Sequence, residues 1–269
     1  MKLALATTLA LLLTACSGGS STTPSLTSST SGYVRFVNGS ADSGAVDIYV
    51  DGTLSASDTD VAYGGITAYQ KFSTGSHAVK VVQAGTQTVV GTLSSASVGV
   101  NGATYYSVVL TGETHPSGAS NPPNLLTFTD TVYSSGSGQA AVNFHNAASA
   151  VGTAQQFGYY SIVTPTTNAT LGNSEAVGGA TGPQGIPTGV AGTLAIGLYA
   201  GSASSITVTP SQISTSCGTN IMPCDSGNLS LYLIDGPAAS TSAVAGPYPQ
   251  GITAAQTAGF VGIFDANGT

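Results

Sequence analysis

The side chains able to do chemistry in this sequence are few and scattered: Cys16, Cys217 and Cys224, the histidines His77, His115 and His145, and eleven acidic residues. No Gly-x-Ser-x-Gly elbow, His-Glu-x-x-His, Cys-x-x-Cys, phosphate-cradling loop ending in Lys-Ser/Thr, or Gly-x-Gly-x-x-Gly between a strand and a helix occurs. A Ser-His-Asp set can be assembled from so serine-rich a chain only by choosing its members freely, so the sequence specifies none. His77 and His145 fall in strand-like runs and are expected on sheet surfaces; His115, beside Pro116, is expected in a loop. The acidic lead is Asp58-Thr59-Asp60, which follows a hairpin containing Asp51 and offers oxygen ligands to Ca²⁺. The Asp-x-Asp-x-Asp-Gly-x₅-Glu spacing is missing, and solvated loop carboxylates are the commoner outcome. Arg35 and Asp47 are expected to form an ion pair if their strands are neighbours, and Asn38, Ser40 and Asp42 to organise a turn through side-chain-to-backbone bonds. The expectation is a protein without catalytic activity, cofactor or metal. Tyrosines (Tyr33, Tyr49, Tyr63, Tyr69, Tyr105, Tyr106, Tyr159, Tyr160, Tyr199) raise a carbohydrate-stacking alternative, but without tryptophan, sheet packing is the expected role.

The elements that carry these residues begin with an address. Lys2 precedes an apolar run from Leu3 to Leu13, roughly 17 Å long as a helix and too short for about 30 Å of bilayer hydrocarbon. Leu13-Thr14-Ala15-Cys16 resembles the lipobox of bacterial lipoproteins. That resemblance implies cleavage after Ala15 and thioether-linked diacylglycerol on Cys16, with an ordinary secretory signal as the alternative. Residues 1–15 are then a signal peptide and 16–31 a Ser/Thr/Gly-rich tether, too polar to pack and with a reach of roughly 20 Å. Ser17 stands where an aspartate would resemble an inner-membrane retention signal, so the resemblance favours the outer membrane of the cell envelope. Of the remaining thiols, Cys217 and Cys224 bracket a short loop and are expected to form a disulfide in an oxidising compartment. A metal site is the rival, but no other Cys and no His lies nearby.

Charged residues are 6% of the chain, against about 25% in ordinary soluble proteins. Once Lys2 is removed, only Arg35, Lys71 and Lys80 remain as cations, within a formal net charge of −7 for the whole chain. Nucleic-acid binding is excluded on that count, and so is attraction to anionic lipid. The partners that remain are the membrane, through lipid on Cys16, and an unidentified protein or glycan.

Period-two alternation dominates. In YVRFVN (33–38), Val34 and Phe36 face one way and Tyr33 and Arg35 the other; in VDIYVDG (46–52), Val46, Ile48 and Val50 point inward and Asp51-Gly52 signals a tight turn. Further strands are expected over 78–93 and 103–112, and no window after the leader has helical periodicity. The second half repeats the first loosely. AVNFHNAAS (141–149) aligns with YVRFVNGSA (33–41), LAIGLYAGS (194–202) with HAVKVVQAGT (77–86), and LSLYLIDG (229–236) with YYSVVLTG (105–112). GGATGPQGIPTGVAG (178–192) reads as an insertion in the second copy, and the Asp47–Gly52 segment has no clear counterpart there.

The expected fold is all-β: two tandem antiparallel β-sandwiches, over 32–133 and 140–237, joined by a linker at 134–139. A tail over 238–269 follows, whose AGFVGIFD (258–265) can return as a final strand. One large sandwich holding both halves is the alternative. The blocks YVRFVNGSADSGAVDIYVDG (33–52), AYGG (62–65), STGSHAVKVVQAGT (73–86) and ATYYSVVLTGE (103–113) resemble a bacterial family of unknown function, DUF4397. Its pattern is matched at Arg35, Phe36, Asn38, Ser40, Asp42, Val46, Asp47, Tyr49, Asp51 and Gly52. The resemblance implies immunoglobulin-like or transthyretin-like sandwiches, often in lipoproteins and surface proteins, and no particular activity. The functional expectation is a lipid-anchored envelope protein with a binding, adhesion or structural display role. A glycan- or Ca²⁺-binding surface module is the alternative, and a secreted hydrolase a second.

Overall fold

A computed structural model describes residues 30–90, 96–114, 121–131, 139–151, 154–161, 167–187, 194–199, 206–208, 213–215, 218–220, 227–239 and 258–266. Branched and aromatic residues alternating with small polar ones build eight strands among the described residues of the first half. They are β1 (Ser31–Asn38), β2 (Val46–Val50), β3 (Thr53–Leu54), β4 (Gln70–Ser73), β5 (Gly75–Gln83), β6 (Ala96–Val100), β7 (Tyr105–Thr111) and β8 (Asn124–Asp130). They form two four-stranded sheets, ordered β4-β1-β7-β8 and β3-β2-β5-β6. Between the sheets lie Val34, Phe36, Val46, Ile48, Val50, Val79, Val81, Val98, Val100, Tyr106, Val108 and Leu110, all buried. Each such side chain contributes roughly 1.5–3 kcal/mol through the water it leaves. Asp51 and Gly52 take φ of 50° and 79°, as a two-residue turn with left-handed central positions requires, and close the β2–β3 hairpin.

Among the described residues of the second half follow β9 (Gln139–Asn146), β10 (Gln155–Ser161), β11 (Thr167–Glu175), β12 (Ala180–Pro187), β13 (Leu194–Tyr199), β14 (Ile206–Val208), β15 (Ile213–Thr215), β16 (Gly218–Asn220), β17 (Gly227–Asp235) and β18 (Ala258–Ala266). Their sheets are ordered β12-β9-β17-β18 and β11-β10-β13-β14. This is the first half's order, place by place, with the small β15–β16 pair added between β14 and β17. In both halves the two central strands of one sheet run parallel, β1 with β7 and β9 with β17, while the other pairings are antiparallel. The sheets are therefore mixed rather than purely antiparallel. The segment at 258–265 becomes β18, paired along its length with β17.

The structure corrects the sequence alignment of the halves in three places. Val34 sits opposite Tyr106 and Val142 opposite Leu229, so Leu229 corresponds to Tyr106, one residue beyond the position that pattern matching chose. β10 occupies the place of β2, although its QQFGYYS shares none of the acidic spacing of 47–52. Ala176-Val177-Gly178-Gly179, read partly as insertion, is the counterpart of Ala62-Tyr63-Gly64-Gly65. The Asn38 backbone N–H donates to the Gly65 carbonyl (3.0 Å) and the Asn38 carbonyl accepts from Gly64 N–H (2.7 Å); the Asn146 backbone does the same with Gly179 (3.0 Å) and Gly178 (2.8 Å). The side chains repeat the motif: Nδ2 of Asn38 donates to Val61 O, and that of Asn146 to Glu175 O. Gly64 and Gly178 both have left-handed φ, 75° and 85°, which explains glycine at each.

Candidate functional site

Alternation settles which side chains of a strand face the sandwich core. In β1 these are Val34 and Phe36, so Arg35 and Val37 must point out of the sandwich. That outer face is covered. Val37, Ala41, Tyr63, Val109 and Phe128 from the first half pack with Ala147, Tyr232, Ile234 and Val261 from the second. The β4-β1-β7-β8 and β12-β9-β17-β18 sheets thus meet face to face, giving four stacked layers.

A charged network is sealed in this seam. Arg35 is fully buried, with its Nε donating to Ser107 Oγ (3.0 Å) and its guanidinium 3.9 Å from the Asp130 carboxylate. It also lies over the Tyr69 ring at 4.2 Å and within 5.6 Å of the Tyr232 ring. Asp130 accepts from Tyr69 OH (2.6 Å) and from Ser107 Oγ, and Ser107 Oγ bonds Tyr232 OH at 2.5 Å. His145 Nε2 stands 2.7 Å from Asp130 Oδ1, within ion-pair distance but off a hydrogen-bond axis, and its Nδ1 is 3.1 Å from the Leu231 carbonyl. Its ring stacks on Tyr232 at 4.7 Å and meets the edge of Phe128 at 5.0 Å. Burial pushes the Asp130 carboxyl upward, but His145, Arg35 and Ser107 outweigh it and hold the group below the ordinary carboxylate range. Burial drives the phenols of Tyr69 and Tyr232 well above their usual range, so both stay neutral donors.

A second polar knot lies farther along the same seam. The Asp235 carboxylate accepts from Thr111 Oγ1 (3.1 Å), Gly112 N–H (3.1 Å), Ser149 Oγ (2.5 Å) and Ala150 N–H (2.8 Å), while its carbonyl accepts from Tyr63 OH (2.6 Å). Gly39 lets the sheets approach: a Cβ there would stand 2.9 Å from Ile234 Cγ2.

Three expectations are overturned. Arg35 does not pair with Asp47, because β1 and β2 belong to different sheets; Asp47 instead accepts from the backbone N–H groups of Asp60 (2.8 Å) and Gly85 (2.9 Å). His145 is not on a sheet surface but completely covered, because the second sandwich turns this face toward the first. His77 is also largely buried, its Nδ1 2.7 Å from Asp51 Oδ2 and Nε2 2.8 Å from the Ser73 carbonyl. That pairing raises the His77 imidazole above its ordinary value and lowers the exposed Asp51 carboxyl.

The acidic residues weighed for Ca²⁺ go separate ways. Asp51 closes on His77 and the Ala78 amide, Asp58 is buried against Ser55 and Gln70, and no group of three potential metal ligands occurs among the described residues. The Asn38–Asp42 turn is organised as expected, with Asn38 Oδ1 accepting from Ser40 N–H and Ser43 Oγ, and Asp42 Oδ1 from Ser40 Oγ and Thr114. Cys16, His115, Cys217 and Cys224 lie outside the described residues.

Chemically, the seam holds a serine, an aspartate and a histidine in contact, but in the wrong order for nucleophilic catalysis. The carboxylate stands between Ser107 and His145, so the histidine is not placed to take the serine proton. All three side chains are shut off from water. Sequence reasoning missed the network because its members come from β1, β7, β8, β9, β17 and, for Tyr69, the segment just before β4. The one available signal was Arg35 itself, a lone cation inside an otherwise apolar strand.

Residues 32–155 match the model of a domain of unknown function, DUF4397. A DUF4397 domain spans those residues. It contains the whole first sandwich and then β9, whose partners β12 and β17 both lie beyond residue 155. The DUF4397 span therefore reaches across the seam and supplies Arg35, Ser107, Asp130 and His145, leaving Tyr232 to the rest of the chain. No curated protein matches the chain.

Proposed function

We propose that the protein is a lipid-anchored envelope component whose two sandwiches act as one stiff display or spacer unit, held to the membrane through Cys16. The observation that carries the reading is the sealed seam. The side chains best equipped for chemistry, Arg35, Asp130 and His145, serve to bolt one sandwich to the other and are out of reach of any substrate. A stack of four sheets with a charged network at its centre resists bending at the linker, which suits a module carried on a polar tether. The lipobox-like Leu13-Thr14-Ala15-Cys16 supports the anchor, and the Ser17 position supports the outer membrane.

The test has two arms in the native host. Metabolic labelling with an alkyne fatty acid should tag the wild-type protein and not Cys16→Ala, and the variant should leave the membrane fraction. Site-specific photocrosslinkers on exposed positions of the outermost sheets, such as Ala78, should trap a neighbouring envelope protein. An untagged, soluble wild-type protein would defeat the anchoring, and an absence of protein crosslinks at all tested faces would defeat the display role.

One observation favours a second reading, glycan binding. Tyr33 and Tyr105 stack at 4.6 Å and Tyr69 meets Tyr105 edge-on at 5.0 Å, so three half-buried tyrosines gather at one end of the seam. Specific glycan-array signals lost in Tyr33→Ala and Tyr105→Ala would establish it, and array silence would remove it.

A further inference from the structure

Where β3 gives way to a short 3-10 turn (Ala56–Asp58), three side chains meet outside the seam, with Ser57 Oγ 2.9 Å from Ser55 Oγ at their exposed edge. Ser55 Oγ donates to Asp58 Oδ2 at 2.7 Å and lies 3.1 Å from Gln70 Oε1, and Gln70 Nε2 donates to Asp58 Oδ1 at 2.5 Å. A hydroxyl nucleophile, a carboxyl group and a primary carboxamide are thus all within hydrogen-bond reach of one another. From this geometry we infer that Ser55 and Gln70 are joined by an intramolecular ester, formed by the chain itself with Asp58 as the proton carrier.

The step balances without a co-reactant. Ser55 Oγ attacks Gln70 Cδ and its proton passes to Asp58. The tetrahedral adduct then expels the amide nitrogen, which takes that proton and leaves as ammonia, and a C–O bond has replaced a C–N bond. Asp58 touches both the atom that loses the proton and the atom that receives it. Its carboxyl is buried, and that burial raises it above the ordinary range, which suits a group that must accept and return a proton. Departure of ammonia into solvent makes the reaction effectively one-way.

The bond has a structural consequence. Ser55 follows β3, the edge of one sheet of the first sandwich, and Gln70 begins β4, the edge of the other. An ester between them fastens the two sheets together along an open side, and closes the loop that crosses from one to the other.

The full chain can be tested directly. Tryptic cleavage after Arg35 and Lys71 releases residues 36–71, which contain both Ser55 and Gln70 and no other basic residue. The expected result is a peptide about 17 Da lighter than its sequence, lacking fragment ions from cleavage between Ser55 and Gln70, and regaining water in mild alkali. A wild-type peptide of unmodified mass would overturn the proposal. So would a deficit that maps to Asn38-Gly39, where succinimide formation loses the same mass. In Ser55→Ala the deficit should vanish, and its persistence would equally refute the ester.

Discussion

Asp130→Asn tests the seam most sharply. The substitution keeps the shape of the side chain but removes the charge that faces Arg35 at 3.9 Å and His145 at 2.7 Å. At an effective dielectric constant of about 20, the Arg35 attraction alone is worth about 4 kcal/mol. Desolvation has already been incurred by the surrounding structure and is not recovered when one partner is neutralised, so the loss falls in the 3–5 kcal/mol range of broken buried pairs. With a urea dependence of about 3 kcal/mol per molar for a chain of this size, the unfolding midpoint should fall by about 1–2 M. The network spans both sandwiches, so fluorescence from tyrosines and far-ultraviolet circular dichroism should move together. Replacing the pair with apolar residues, Arg35→Met with Asp130→Leu, should recover part of the loss, since no charge is left unpaired, but not all of it, since Tyr69, Ser107 and His145 lose their acceptor. A midpoint shift below about 0.5 M for Asp130→Asn would refute the buried network. So would a double variant as weak as the two single variants combined.

Other expectations concern the rest of the molecule. The His77 imidazole is held up by Asp51, so its folded value exceeds that of the unfolded chain. Its stabilisation is therefore fully present below about pH 6.5 and fades as pH rises through the folded value; an NMR titration should find that value brought back toward normal in Asp51→Asn. Asp130 behaves oppositely: its carboxyl is held low, so its contribution is present above about pH 3.9 and disappears as acid titrates the folded group, which acid-unfolding curves should show as a transition missing from Asp130→Asn. Asn38→Ala should cost about 1–3 kcal/mol in urea unfolding, because it removes the side-chain donor to the Gly44 and Val61 carbonyls, which keep Ser43 Oγ and Val46 N–H, and the acceptor for Ser40 N–H and Ser43 Oγ. Gly112→Ala should destabilise by at least about 2 kcal/mol in the same assay, since φ is 84° there and a Cβ would stand 2.4 Å from the Pro122 carbonyl oxygen.

Local rules carried the sequence reading as far as they apply. Alternation identified the core of the first sandwich down to Val34, Phe36, Val46, Ile48 and Val50, and Asp51-Gly52 announced its turn. The repeat was visible through Phe36 and Phe144, which occupy equivalent strands. What alternation reports, however, is only inside against outside of one sandwich. It cannot say that the outside of β1 and β9 is itself covered, so it pairs Arg35 with the wrong strand and sets His145 on an open sheet surface. The register of β17 slipped by one because its Leu-Ser-Leu-Tyr-Leu offers two alignments with Tyr-Tyr-Ser-Val-Val, and only the pairing with β9 discriminates between them. The second Ala-x-Gly-Gly is hidden in sequence because glycine-rich residues next to Pro183 resemble a loop; its link to Asn146 lies in backbone hydrogen bonds that carry no side-chain signature.

The two halves cover each other with the same sheet, each using the layer built around its parallel central pair. Contact through matching surfaces consumes itself, since neither copy has that surface left to offer. Duplication along this chain has therefore made a finished couple, with no free end from which stacking of this kind can grow into a fibre. His145 and Tyr232 stand where the register puts Val37 and Val109 in the other copy, so the couple also has fixed, unequal roles. Two first halves brought together would lack the imidazole and the phenol that receive Arg35 and Asp130, and mismatched pairing between neighbouring molecules is discouraged by chemistry as well as by shape.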